Sequence, residues 1–444
     1  MLKTQFHTTM RWLLRANTPI PERSDGEIAA DMERNYHWNF TTHVLDGVFF
    51  WLGASFMSSA TIIPLFVSKL SDSPWAIGLA AVIAQAGWYF PQLFAANATE
   101  RLPLMKPVVV NLGFFLERLP LWLLPIAALV GASHPQLGLA LFFIGYAGHI
   151  LGAGAVAPAW QDLVARCFFP EQRGRYFGTA TFLGNGTGLL GAALSAWILA
   201  AFLFPTNFAL LFTLAAFFVT VSWVFLALVR EPTQSHMVAR QSTRQYLGKL
   251  PAIVQQDEEF RRFLLARTLL VFGSLGTGFV TVAAIARWEV ADGVVGFYTG
   301  ALLLGQTLGT FVFGFLSDRR GNKLVLESSA AFGMFAFLLA WMAPFAMLYY
   351  AVFFMLGIAM GGIMLSSILV VLEFAPSSRR PTYTGLANTT VGAFSIAAPL
   401  LGALLASISY DWLFAVSAGF NLVALVALHW WVKEPRQLKP VPTS

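Results

Sequence analysis

Twelve apolar runs of about 20 residues, separated by short polar segments, constrain this chain more than anything else in it. They span 43–67, 75–98, 107–130, 137–159, 176–203, 208–229, 263–286, 293–316, 324–343, 347–371, 382–407 and 412–432. Each is long enough to cross the ~30 Å hydrocarbon core of a bilayer as a helix. Twelve helices of about 21 residues need about 252 apolar positions, and 57% of 444 residues are apolar, close to that number. Only 11% of the residues are charged, against about 25% in an ordinary soluble domain. These values exclude a soluble enzyme, a disordered chain and a nucleic-acid-binding domain, and predict an all-α membrane protein.

The longest polar break, 230–262, holds ten charged residues and divides the runs into two groups of six. The predicted organisation is a cytoplasmic extension at 1–42, a six-helix bundle at 43–229, a cytoplasmic loop at 230–262, a second bundle at 263–432 and a tail at 433–444. Lys and Arg are retained on the cytoplasmic side of short loops. With the amino end inside, 24 of the 28 Lys and Arg fall on that side; Lys69 and Arg287 fall outside, and Arg118 and Arg267 lie within spans. The alternation predicts a multi-pass protein of the cell (inner) membrane with both termini cytoplasmic, and makes the net charge of +6 an orientation signal. Within 1–16, Leu2, Phe6, Met10 and Leu14 recur at helical spacing opposite Lys3, Arg11 and Arg15, a pattern for a helix on the membrane surface. The polar amino end does not read as a cleavable signal, so the first span is expected to direct insertion. A single cysteine, Cys167, gives no disulfide or thiolate cluster, and no metal or cofactor is expected.

The two groups of runs repeat. Gly78 precedes Glu100-Arg101 by the spacing that separates Gly296 from Asp318-Arg319, at an offset of 218 residues. PEQRGRYFG at 170–178 answers PSSRRPTYTG at 376–385, each opening the fifth run of its group. Internal repeats are common in transporter folds.

The sharpest motif is GFLSDRRGNK at 314–323, between the eighth and ninth runs. Gly314 would let two helices approach closely and Gly321 a tight turn; Asp318 would cap a helix end or pair with arginine. The segment resembles the loop signature G-x-L-a-D-R-x-G-R-K of the major facilitator superfamily. Gly314, Leu316, Asp318, Arg319, Gly321 and Lys323 match, and Asn322 stands where the family has Arg. The resemblance extends over roughly 40–435. It implies two six-helix bundles (6+6) around a central cavity that opens to each side in turn. The first-half loop, Ala96 to Lys106, is degenerate: Ala96 replaces Gly, Glu100 replaces Asp and Pro103 replaces the second Gly. The resemblance further implies an inner latch in which Asp162 and Glu373, ending the fourth and tenth runs, join Glu100, Arg101, Arg173, Asp318, Arg319, Arg320 and Arg379. Glu373 and Asp318 would share Arg319, Arg320 or Arg379. Spans five (FLGNGTGLLGA, 182–192) and eleven (GAFSIAAPLLGA, 392–403) loosely resemble the family's antiporter signature.

Charge at membrane depth needs a reason. Glu117 and Arg118 lie about 15 Å into the third span, and neighbours about 100° apart on a helix are not expected to pair only with each other. His149 is near mid-depth in the fourth span. The offset carries Glu117 and Arg118 onto Phe335 and Ala336, so these charges have no second-half copy. That asymmetry favours a special task, with proton coupling through Glu117, Arg118, His149 or Asp46 as one reading and a structural tie as the other. Asp46 reads as a helix-end or gating acid near the inner face. Arg267, about four residues inside the seventh span, is expected to reach the interface. Ser58, Gln85, Trp88, Asn185, Thr277 and Asn388 are candidates to line a cavity. No basic residue recurs at mid-depth in both halves, so a neutral or cationic amphipath suits the chain better than a multivalent anion.

The sequence therefore predicts a monomeric secondary active transporter, coupled to protons and exporting small amphipathic or drug-like molecules. A proton-coupled importer of sugars or other polar nutrients is the alternative within transport. Outside it stand a lipid scramblase and an integral-membrane enzyme, although no H-x-x-x-D, H-E-x-x-H or G-x-S-x-G set is present.

Overall fold

A computed structural model describes residues 13–16, 18, 23–99, 102–233, 255–374 and 380–435. The amphipathic pattern of 1–16 and most of 230–262 lie outside the described residues. In chain order the helices are α1 (Asp25–Ser55), α2 (Ile62–Leu70), α3 (Pro74–Thr99), α4 (Val108–Gly131), α5 (Pro135–Cys167), α6 (Pro170–Ala201) and α7 (Thr206–Leu228). They continue with α8 (Glu258–Gly273), α9 (Val280–Trp288), α10 (Asp292–Arg320), α11 (Asn322–Met342), α12 (Leu348–Phe374), α13 (Arg380–Ile408) and α14 (Tyr410–Trp431).

Among the described residues, ten helical stretches are long and apolar enough to cross a membrane. The first two expected runs are not among them, for physical reasons. The first breaks at Phe56–Thr61 between α1 and α2, and the second, α3, carries Gln85, Trp88, Tyr89 and Pro91 in its middle. Helix α1 starts at Asp25, where a capping box closes it: the Glu27 amide donates to Ser24 Oγ and the Ser24 amide to Glu27 Oε2.

The break in α1–α2 has a twin. Moved by the 218-residue offset, Ile62–Leu70 falls on Val280–Trp288, and Pro74, the start of α3, falls on Asp292, the start of α10. The second break, Ser274–Phe279, is closed by a 3₁₀ turn over Thr277–Phe279. Irregular backbone at membrane depth is tolerated where protein buries it and its polar groups are met. Phe56, Met57, Ala60 and Thr61 are buried, and the Ile63 amide reaches back to the Ser58 carbonyl at 3.0 Å.

The chain forms two compact units. Unit 1 takes Met1–Met57, Phe90–Gly191 and Phe204–Thr243; unit 2 takes Ser58–Tyr89, Ala192–Leu203 and Arg244–Ser444. The core of unit 1 gathers Val109, Leu163, Phe168, Tyr176 and Val229. That of unit 2 gathers Phe260, Phe263, Leu326, Ala330, Val371 and Ala424. Helices in lipid gain little from apolar contact alone and pack through small residues. In unit 1 a Cβ on Gly152 of α5 would lie 2.1 Å from the Leu116 carbonyl of α4, and in unit 2 one on Gly305 of α10 would lie 2.1 Å from that of Phe354 on α12.

Candidate functional site

In unit 2, the helix ends predicted to face outward interlock segments from both halves of the sequence. Gly78, opening α3, packs on α13, where a Cβ would stand 2.7 Å from that of Ala403 and 3.2 Å from the Pro399 carbonyl. Its repeat partner Gly296, opening α10, packs on the end of α6, where a Cβ would stand 2.3 Å from the Ala196 amide nitrogen. No larger residue fits either crossing without moving backbone. The hydroxyls of Thr61 and Thr299 are 2.6 Å apart, and Thr281 Oγ1 donates to the Ala60 carbonyl of the first break at 3.0 Å. Lys69 and Asp292 form an ion pair of 2.8 Å beside them. The second residue outside the charge pattern, Arg287, pairs with Asp411 and donates to the Ala340 carbonyl at 2.7 Å. Both exceptions are thus neutralised locally. Sequence reasoning marked Gly78 and Gly296 as landmarks but missed the threonines, which carry no signal beyond their apolar surroundings.

Unit 1 holds a buried polar cluster. Backbone from Val108 to Arg118 is π-helical, a rare geometry that often marks function. Glu117 and Arg118, 4% and 3% exposed, pair directly with each other, contrary to the helical-wheel expectation. The π-helical backbone at this point departs from the regular α-helix on which that expectation rests. Arg118 also reaches the Gly113 carbonyl, and the His149 ring Nδ1 lies 3.0 Å from the Glu117 carbonyl. Asp46 is no helix-end acid. It stands well inside α1, buried, accepting from Ser222 Oγ of α7 at 2.6 Å and feeling the charges of Arg118 and Glu117. Three residues earlier His43 is fully buried against the Phe168 and Tyr176 rings, and neither of its nitrogens has a hydrogen-bond partner among the described residues. The sequence reading passed over it.

At the basic ends the charges join differently from the expected latch. Gly314 faces open space, so the close approach of α10 to its neighbour falls instead at Gly305 and Gly309. Gly321 does make the turn, at φ +93°, and a Cβ there would strike the Glu434 carboxyl carbon at 2.6 Å. Asn322, the departure from the family signature, is the buried connector: it accepts from Ser317 Oγ at 2.6 Å and donates to Glu373 Oε1 at 2.8 Å. Arg319 and Arg320 are exposed and form no ion pair among the described residues. Asp318 is exposed in the same turn, while Glu100, Arg101 and Arg379 lie outside the described residues. In unit 1, Arg166 joins Asp162 at 2.8 Å, Glu231 at 3.1 Å and the Pro103 carbonyl at 2.9 Å. Arg173 is not part of an acid network; it donates to the Ala165 and Phe168 carbonyls at the end of α5. Glu231, missed from sequence, accepts the Met105 and Lys106 amides at 2.8 and 2.9 Å. Burial raises its affinity for a proton, opposed by those amides and Arg166. Glu231 and Glu434 sit in R-E-P (230–232) and K-E-P (433–435), a repeat that would have revealed both.

Of the cavity candidates, Asn185 is buried in unit 1. Ser58, Gln85, Trp88, Thr277 and Asn388 fall in unit 2, with Ser58 and Thr277 in the twin breaks. Arg267, expected to reach the interface, is instead buried within unit 2, on a helix that begins at Glu258. It is 7% exposed and donates from Nη1 to the Ser367 carbonyl at 3.1 Å.

A sequence model of the Major Facilitator Superfamily matches residues 283–444, which include the 314–323 loop. The family resemblance read from that loop is borne out, and this is a multi-pass membrane protein with a transporter fold. Among curated relatives, a human protein named solute carrier family 22 member 11 is 28% identical over 35% of this chain and 28% of its own length. The mouse organic anion transporter 3 is 33% identical over 30% of this chain and 24% of its own, and the Aspergillus brasiliensis efflux pump bfoC 28% identical over 30% and 24%. The chain thus spans about a quarter of the length of the curated relatives it matches. A POT family transporter solved with 5-aminolevulinic acid shares the fold at 14% identity and a TM-score of 0.66, covering 88% of this chain and 94% of that one. The nucleoside transporter NupG does so at 14% identity and 0.61, covering 87% and 98%.

Proposed function

We propose that this chain is a secondary transporter that exposes a substrate site to the two faces of the cell membrane in turn, with both ends of the chain in the cytoplasm. The observation that carries the reading is the duplicated glycine crossing. Gly78 on α13 and Gly296 on α6 join the two sequence halves at one end through small residues and short hydroxyl contacts. Contacts of this kind are dry and close, yet few enough to part. The twin helix breaks supply backbone that can bend there. On this reading these contacts are what closes the outward end.

Two finer assignments belong to the same proposal. The proton is carried at Asp46, a buried acid with a hydroxyl donor and no ion pair among the described residues, and Glu117, Arg118 and His149 form its fixed electrostatic setting. The direction is export of a small amphipathic molecule, which the efflux pumps among the relatives support.

The decisive experiment locks the seal. In a Cys167→Ser background, Thr61→Cys with Thr299→Cys should cross-link on oxidation, stop flux in proteoliposomes and recover it on reduction. A cross-linked protein that transports at the parent rate would refute alternating access through this seal.

A further inference from the structure

Resting on that transport reading, we propose that Arg267 binds the negative charge of the transported molecule. The substrate is then an amphipathic monoanion, a carboxylate or sulfonate on an apolar body.

Four other buried or half-buried cations of the helical region have an acid, while Arg173 caps the end of α5 through two carbonyls. Arg118 has Glu117, Arg166 has Asp162 and Glu231, Lys69 has Asp292 and Arg287 has Asp411. Arg267 is 7% exposed, between Arg118 at 3% and Arg166 at 9%, and among the described residues no Asp or Glu pairs with it. Its guanidinium offers five donors, and the hydrogen bond to the Ser367 carbonyl is the contact it makes. A charge held in low dielectric without a counter-charge is costly unless a partner arrives.

Two hydroxyls without a partner among the described residues lie on α12 and α13, the helices reached from α8 by the Arg267 hydrogen bond and by its ring contacts. Ser366 Oγ, one residue from the carbonyl that holds Arg267, and Thr389 Oγ1 are buried with no hydrogen-bond partner among the described residues. Ring contacts between Phe260 and Tyr383 (4.5 Å) and between Phe272 and Phe394 (5.8 Å) run α8 alongside α13, which brings Arg267 level with Thr389. A planar cation with two neutral donors matches the oxygens of one carboxylate or sulfonate. Phe272, stacked on Phe420 and tilted against Phe394, offers an apolar body aromatic contacts further along α8. One cation implies one charge.

The test is equilibrium binding to the purified full chain in detergent, so it does not depend on the seal moving. Thermal shift and tryptophan fluorescence would compare octanoate and 4-phenylbutyrate with their amides, and with chloride and sulfate. The acids should bind at least about tenfold more tightly than the amides. Arg267→Met should erase that preference while the ligand-free protein melts at the same or a higher temperature. Arg267→Lys should keep part of it, as a point charge without the fork. Ser366→Ala and Thr389→Val should each weaken acid binding severalfold and leave amide binding unchanged. Equal binding of acid and amide, no binding of either acid at millimolar concentration, a preference that survives Arg267→Met, or inorganic anions binding as well as the organic ones would each overturn the proposal. Acid selectivity without flux would instead count against the transport reading alone.

Discussion

Two arginines are almost equally buried in this protein and are treated in opposite ways. Arg118 in unit 1 lies against Glu117, its own chain neighbour, on π-helical backbone. Arg267 in unit 2 is tied to a backbone carbonyl and pairs with no acid among the described residues. The same residue type at similar exposure thus serves two ends. A cation neutralised within the fold holds the fold together, whereas a cation left without a counter-charge is available to something that comes and goes. Burial alone does not separate the roles; the presence or absence of the acid does.

The largest effect should come from taking away the acid that Arg118 has. Glu117→Gln leaves a buried, uncompensated cation, and breaking such a pair costs about 3–5 kcal/mol. Chemical unfolding in detergent should show that loss, and Glu117→Gln combined with Arg118→Met should restore most of it. Arg267→Met should move the other way, from neutral to a gain of about 1–4 kcal/mol, because no partner is orphaned. If both single variants destabilise alike, the two arginines are both structural and the contrast disappears.

A smaller change in stability, with a distinct functional signature, is expected at Asp46. Asparagine still accepts from Ser222, so Asp46→Asn should cost no more than about 1 kcal/mol. It should nevertheless abolish accumulation driven by an imposed pH gradient while leaving downhill exchange intact. Should Glu117→Gln instead abolish gradient-driven accumulation with little loss of stability, the proton belongs to the Arg118 pair. Arg118 would then be a switch rather than a tie.

Much of this was legible in the sequence, because apolar length, the 218-residue repeat and the turn at Gly321 are local properties. The breaks at 56–61 and 274–279 were not, since both lie inside continuous apolar runs and show only as backbone geometry. Arg267 was read as reaching outward because spacing along one run does not show which helix covers it; the Ser367 carbonyl of α12 meets it. Gly314 and Gly296 look alike in a motif, and only packing tells which one meets another helix. Glu117 and Arg118 were flagged by charge at depth, but neither their direct pairing nor the π-helical backbone that carries it shows in sequence spacing.

The smallest effect should come from an ion pair of the same chemistry as the Arg118 pair, placed where water reaches it. Lys69 and Asp292 are 2.8 Å apart with side chains 34% and 22% exposed. Solvent screens such a pair, so Lys69→Ala should cost only about 0.2–1 kcal/mol, and the loss should shrink as salt is raised. Glu117→Gln, by contrast, should be almost insensitive to salt, because its pair is shielded from mobile ions. The salt dependence of the two variants therefore measures directly how far burial, rather than pairing, sets the worth of each charge. If Lys69→Ala proves as costly and as salt-independent as Glu117→Gln, the proposed seal is held by its charge and not by its glycines.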